Sequence, residues 1–73
     1  MTPLHAEILV CLAENGLNMN AVGRVLFLHR NTIHYHVQQI YKQTGLDPRD
    51  YYDMGKLLPR ANAALAAERS NND

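Results

Sequence analysis

The sequence predicts an all-α domain, a small bundle of four to five helices, and three observations carry that prediction. Apolar residues recur at helical spacing, as at Ile33, Val37 and Ile40, and no stretch alternates at the period of two that a half-buried strand requires. Residues that start or stop helices punctuate the intervals: Thr2-Pro3, Asn15-Gly16, Asn18 or Asn20, Gly45 and Asp50. The chain has 73 residues, 47% of them hydrophobic, enough for one small core close to the size at which a single core becomes marginal.

Helix one is expected over residues 3–14. Thr2 is a capping residue, and Pro3 stands at the first helical position, where its missing N–H costs nothing. Leu4, Ile8, Cys11 and Leu12 form the expected buried stripe, broadened by Leu9 and Val10, and Asn15-Gly16 ends the helix. His5, in the first turn, reads as a solvated surface residue. Cys11 is the single cysteine, so no internal disulfide framework exists, and it reads as a small buried apolar side chain in a reducing compartment. Asn18 or Asn20 then caps a short second helix. Its Ala21, Val22, Val25 and Leu26 recur at i, i+1, i+4 and i+5, which suits two turns packed on two neighbours, and Ala21 and Gly23 permit close approach. Phe27-Leu28-His29 breaks the pattern.

The third helix, residues 30–44, is the long one. Ile33, Val37, Ile40 and Tyr41 make its core stripe. At about 100° per residue the opposite side collects Asn31, Tyr35, Gln38, Gln39 and Lys42, flanked by Thr32, His34 and His36. These side chains can hydrogen-bond to base edges or phosphates, and none is a carboxylate. Two helices joined by about three residues, the second polar outside, make a helix-turn-helix over residues 20–44. The expected fold is therefore a winged-helix-like or homeodomain-like three-helix core with a C-terminal helix added.

Gly45 is a C-terminal cap, and residues 46–50 read as a turn in which Leu46 folds back on the end of helix three. Asp50 caps a fourth helix from Tyr51, whose stripe runs through Met54, Leu57 and Leu58 toward Ala61 and Leu65. Pro59 interrupts it. Proline inside a helix costs ~3 kcal/mol and restrains the residue before it, so this helix is expected to kink or end near Leu58. Alanine-rich residues 60–68 read as a frayed helix with Leu65 as the one large anchor, and Tyr51 and Tyr52 as core and rim. The domain is placed at residues 1–69, with a disordered tail at 70–73.

Net charge is zero, which by itself argues against a polyanionic partner. The placement reverses that inference. All seven acidic residues (Glu7, Glu14, Asp47, Asp50, Asp53, Glu68, Asp73) lie outside residues 15–46, whereas Arg24, Arg30 and Lys42 lie inside with His29, His34 and His36. Cationic charge segregated onto one element is the footprint of a phosphate-binding face. No apolar run approaches the ~18 residues of a membrane span, and no charged start leads into a signal core, so the expected location is the cytoplasm.

The run Leu26-Phe27-Leu28-His29-Arg30-Asn31-Thr32-Ile33-His34-Tyr35-His36-Val37, followed by Ile40 and then by Thr44-Gly45-Leu46-Asp47, strongly resembles the C-terminal helix-turn-helix domain of PucR-type transcription regulators, a group that includes the sugar-diacid regulators. The resemblance covers about residues 4–58. It implies a sequence-specific DNA-binding domain of a bacterial regulator, partnered by double-stranded DNA and without a cofactor. In that family the domain ends a longer protein whose upstream regions sense a signal and assemble the subunits, so homo-oligomerisation through a longer parent is also implied. One departure falls on the reading face: similar proteins usually carry arginine at the positions of His34 and His36, and often a basic residue at Gln38 or Gln39. Glutamine still pairs with adenine N6 and N7, so the departure weakens phosphate attraction more than base readout.

Geometry assigns roles on that basis. Arg30 meets a phosphate or a guanine edge, Asn31 a base edge and Thr32 a phosphate. The Tyr35 ring suits a thymine methyl, and its hydroxyl a phosphate. His29 caps the helix or packs in the turn, and Lys42 is left between a phosphate contact and plain solvation. Histidines in place of arginines imply affinity that strengthens as pH falls from ~8 toward ~6, because phosphates favour the charged imidazole. The competing reading is a helical protein-interaction or dimerisation module built on Tyr35, Tyr41, Tyr51 and Tyr52. A metal site is disfavoured, because His34 and His36 are two apart and so about 200° apart on a helix. Enzyme activity is not expected: the motif holds no carboxylate base, and no nucleophile and base pair is visible.

Overall fold

A computed structural model of the chain describes residues 1–71, with side chains described through Arg69. Four helices follow in order: α1 (Pro3–Glu14), α2 (Met19–Leu26), α3 (Arg30–Thr44) and α4 (Tyr51–Asn71), and the described residues form no strand. The helix-starting chemistry is as expected. The Thr2 hydroxyl accepts the His5 N–H at 3.2 Å, and the Asn18 side chain accepts from the Asn20 and Ala21 N–H groups at 3.0 and 3.2 Å. Asp50 accepts the Asp53 N–H at 3.0 Å, while Asp53 reaches back to accept the Asp47 N–H at 2.9 Å. The bonds to Thr2, Asn18 and Asp50 each satisfy a donor that the helix leaves orphaned, and the bond to Asp53 ties down the preceding turn. At the other end of α3, Gly45 adopts a left-handed φ of 74° and donates to the Tyr41 carbonyl at 2.8 Å.

α1 packs against each of the other three helices, and its contact with α4 is the most extensive in the molecule. The reason is the width of its apolar surface. Ala6, Ile8, Leu9, Cys11 and Leu12 are buried together with His5, a set that covers about 220° of the helix circumference. The expected stripe missed Ala6 and His5 and took in Leu4. Leu4, assigned to it, is 38% exposed, and His5, read as solvated, is 7% exposed. Cys11 is buried as expected, and its thiol is pushed up from the ordinary range by burial and by the Glu14 carboxylate, against a hydrogen bond from Asn15.

The core is completed by Val22 of α2, Ile33, Val37 and Ile40 of α3, and Met54, Leu57 and Ala61 of α4. Leu46 packs against it after folding back, and Pro48 in the following turn is fully buried. Several residues expected in the core stand outside it: Val25 is 55% and Tyr41 45% exposed, and Tyr51 and Tyr52, read as core and rim, are 79% and 80% exposed. The two tyrosine rings pack edge to face on each other, 5.8 Å between centroids.

α4 continues through Pro59 without ending at Leu58. Leu57 and Ala61, two residues to either side of the proline, are both fully buried, whereas Pro59 itself is exposed. Burial on both sides holds the backbone helical across a residue that removes one hydrogen bond. The segment expected to fray is thus part of one helix, anchored by Ala61 and by Ala64 and Leu65 packed against the core. Of the tail expected at residues 70–73, the backbone of 70 and 71 belongs to α4, and residues 72 and 73 lie outside the described residues.

Candidate nucleic-acid interface

α2 and α3 meet at a three-residue turn whose tightness is set by Gly23. A Cβ on Gly23 would stand 2.9 Å from the Leu28 carbonyl oxygen, so only glycine lets the turn close. The Gly23 carbonyl in return accepts the N–H groups of both Phe27 and Leu28. Phe27 makes the reversal in a left-handed conformation, φ 56° and ψ 41°. His29 then starts α3: its Nδ1 accepts the Asn31 N–H at 3.0 Å, which requires the imidazole proton to sit on Nε2. The capping role read for His29 is the observed one.

With Ile33, Val37 and Ile40 turned into the core, helical geometry fixes where the other α3 side chains stand. Measured from the centre of that stripe, Gln38, Asn31, Lys42 and Tyr35 fall within an arc of about 60° directly opposite. All four are exposed, Tyr35 at 60%. Arg30 is also exposed, at the first position of the helix. Thr32, His34 and Gln39 flank the arc and are half-buried. Five of the nine predicted residues (Arg30, Asn31, Tyr35, Gln38 and Lys42) therefore form the exposed surface of α3, and the flanking three border it.

His36 stands apart from them. It is half-buried on the side leaning toward α1, where its Nδ1 lies 3.1 Å from His5 Nε2. The two rings meet edge to face at 5.1 Å, and Tyr35 stacks edge to face on His36 from the outer side at 5.3 Å. Of the two histidines expected to act alike, His36 is thus engaged within the protein. The pairing joins residues 31 apart in sequence, and no local pattern marks it. His5 faces groups that are neutral or cationic: His36, the Met1 amino end, and Arg60 of α4 across a cavity also lined by Gln43 and Thr44. Burial first, then the nearby positive charge of His36 and the N-terminus, pull the His5 pKa below its ordinary value.

Electrostatically the surface is one-sided. Among the described residues neither Arg30 nor Lys42 is ion-paired, and the one ion pair, Arg49 with Asp47 at 3.0 Å, lies in the turn before α4. That arginine, by its hydrogen bonds, holds the Asp47 carboxyl below the usual carboxylate range. No carboxylate belongs to α2, α3 or the turn between them, and the acidic side chains among the described residues sit on α1, on α4 and in the turn before it. Among the described residues no group of three or more His, Cys, Asp or Glu is placed to hold a metal ion, and no helix is long and apolar enough to cross a membrane.

Comparison with curated proteins and with solved structures gives no match. Comparison with family models gives one: residues 5–58 match the PucR C-terminal helix-turn-helix domain. The match begins at the histidine that pairs with His36, contains the whole of α2 and α3, and ends within α4 at Leu58. It spans most of the 73 residues. The chain belongs to the family of PucR C-terminal helix-turn-helix domains.

Proposed function

We propose that this chain is a sequence-specific DNA-binding domain of a bacterial transcription regulator, with α3 lying in the major groove as the recognition helix. The observation that carries the reading is the exposed surface of α3: hydrogen-bonding side chains on its outer arc, with Arg30 and Lys42 outside any ion pair and no carboxylate on the helix. Asn31 and Tyr35, one helical turn apart near the start of α3, address bases; Asn31 pairs with an adenine edge, and the Tyr35 ring meets an apolar base surface. Arg30 holds a phosphate or a guanine, and Thr32, His34, Gln38 and Gln39 complete the contacts along the groove. Lys42 lies about 16 Å along the axis from Asn31, farther than the ~12 Å width of the groove, and is assigned to a phosphate. His36 remains in the set as a residue that positions Tyr35. The work is binding, carried out in the cytoplasm, with pairing of two domains through a longer parent chain aligning them on two half-sites.

A second reading rests on one specific observation: exposed Tyr51 and Tyr52 line an apolar groove of about 450 Å³ with Leu17, Met54 and Leu58, a surface suited to a protein partner. Salt separates the two. Selection from a random duplex pool at low salt, followed by titration of the selected duplex, should give affinity that falls by about 0.9 log units per log unit of salt for each phosphate neutralised. Affinity independent of salt, or no selected sequence, overturns the DNA reading.

A further inference from the structure

Two residues with side chains adopt left-handed backbone, Leu17 (φ 64°) and Phe27 (φ 56°), a region that crowds Cβ and is disfavoured for both. They differ in what the conformation gains. Leu17 turns its side chain onto the core, and its N–H closes the end of α1 on the Leu12 carbonyl at 2.8 Å. Phe27 likewise closes α2, its N–H meeting the Gly23 carbonyl, but its side chain gains nothing: at 93% exposed it is the most exposed large apolar residue among the described residues. Burial thus compensates the first and does nothing for the second, although glycine or asparagine would make the same turn without the penalty. Strain that brings the side chain no burial is a mark of a residue kept for contact with something else.

The position of the ring says what that is. Phe27 stands two residues before the His29 cap and three before Arg30, at the end of the recognition helix that enters the groove first. Arg24, in the last turn of α2, and Arg30 flank it in sequence, and no carboxylate lies between Glu14 and Asp47. That cationic setting suits a polyanion, and the duplex read by α3 is one. In the major groove the one apolar feature of a base edge is the C5-methyl of thymine, and phenylalanine is among the side chains that contact it. We propose that Phe27 is a specificity-determining residue that packs on a thymine methyl at the edge of the site read by α3; this rests on the DNA-binding reading above.

The test uses the duplex selected by the parent protein, in its natural form and with deoxyuridine replacing thymidine, and three proteins: parent, Phe27→Gly and Phe27→Tyr. Phe27→Gly should weaken binding to the natural duplex roughly tenfold. It should leave the salt slope unchanged, since no phosphate contact is lost, and leave the melting temperature the same or higher. Phe27→Tyr keeps the ring and should retain most of the affinity. Replacing thymidine should weaken the parent by a similar factor and Phe27→Gly by clearly less, the two losses not adding because they remove one contact. Equal losses on deoxyuridine in parent and variant overturn the methyl contact, as does unchanged affinity of Phe27→Gly. A lowered melting temperature would make Phe27 a folding residue instead. If Arg30→Ala weakens binding while Phe27→Gly does not, the DNA-binding reading stands and the Phe27 assignment alone falls. If the parent binds no duplex, both fall together.

Discussion

Between α1 and α4 the buried side chains are Ile8, Leu9, Leu12, Met54, Leu57 and Ala61, in the most extensive helix contact of the fold. On the outer arc of α3 the side chains are Asn31, Tyr35, Gln38 and Lys42, all exposed and making no core contact. The first region is apolar and interlocked, the second polar and open. α3 meets the core through Ile33, Val37 and Ile40 on its inner side and meets α1 at its flank through the His5–His36 pair. Stability is thus assigned to the first region and, in the function proposed above, recognition to the second, and substitutions should separate them.

The largest expected effect lies in the apolar region. Leu57→Ala removes a fully buried side chain at the α1–α4 contact and should cost about 2–5 kcal/mol, a large fraction of the stability of a domain of this size. Chemical denaturation measures it. A loss below ~0.5 kcal/mol, the level of a surface substitution, would show that the α1–α4 contact does not carry the fold.

An intermediate effect is expected on the α3 arc, with the opposite partition. Asn31→Ala should weaken binding to the preferred duplex by ~1–3 kcal/mol and flatten the preference at one base position, with stability changed by no more than ~0.5 kcal/mol. Equal losses on preferred and scrambled duplexes would move Asn31 from base edge to backbone. A loss of stability as large as that of Leu57→Ala would erase the division between the two regions.

The smallest effect tests the flank where the two regions meet. The His5 pKa is lowered in the folded state, so the unfolded chain binds the proton more readily. The sign follows: the folded state is at full strength above the unfolded value of ~6.5 and loses stability as pH falls through that value toward the lower folded one. Melting temperature should decline in that window, and His5→Leu should flatten the decline. The Asp47 carboxyl, lowered by Arg49, acts in a separate window, where its contribution is lost only as pH falls below ~4. DNA affinity should run the other way near pH 6, rising because phosphate favours the charged form of an imidazole beside it. His34→Gln should remove that rise. If His36→Gln removes it instead, His36 leaves His5 to meet the duplex.

The sequence by itself determined what depends on neighbours along the chain. Thr2, Asn18, His29 and Asp50 cap helices because a capping side chain reaches only two or three residues, and Gly45 ends α3 because the left-handed position is local. Periodicity gave the inner face of α3 and so, by opposition, Asn31, Tyr35, Gln38 and Lys42 as its outer face. The motif in residues 26–47 was legible for the same reason, being contiguous. The tertiary structure decided everything that depends on how many sides of a helix are covered. Three helices surround α1, which buries His5 and Ala6 and leaves Leu4 outside, and burial of Leu57 and Ala61 carries α4 through Pro59 against local preference. It also divided His34 from His36, which look equivalent two positions apart. Helix rotation of about 200° between them turns His36 toward α1, and the imidazole waiting there comes from residue 5, a neighbour created only by folding.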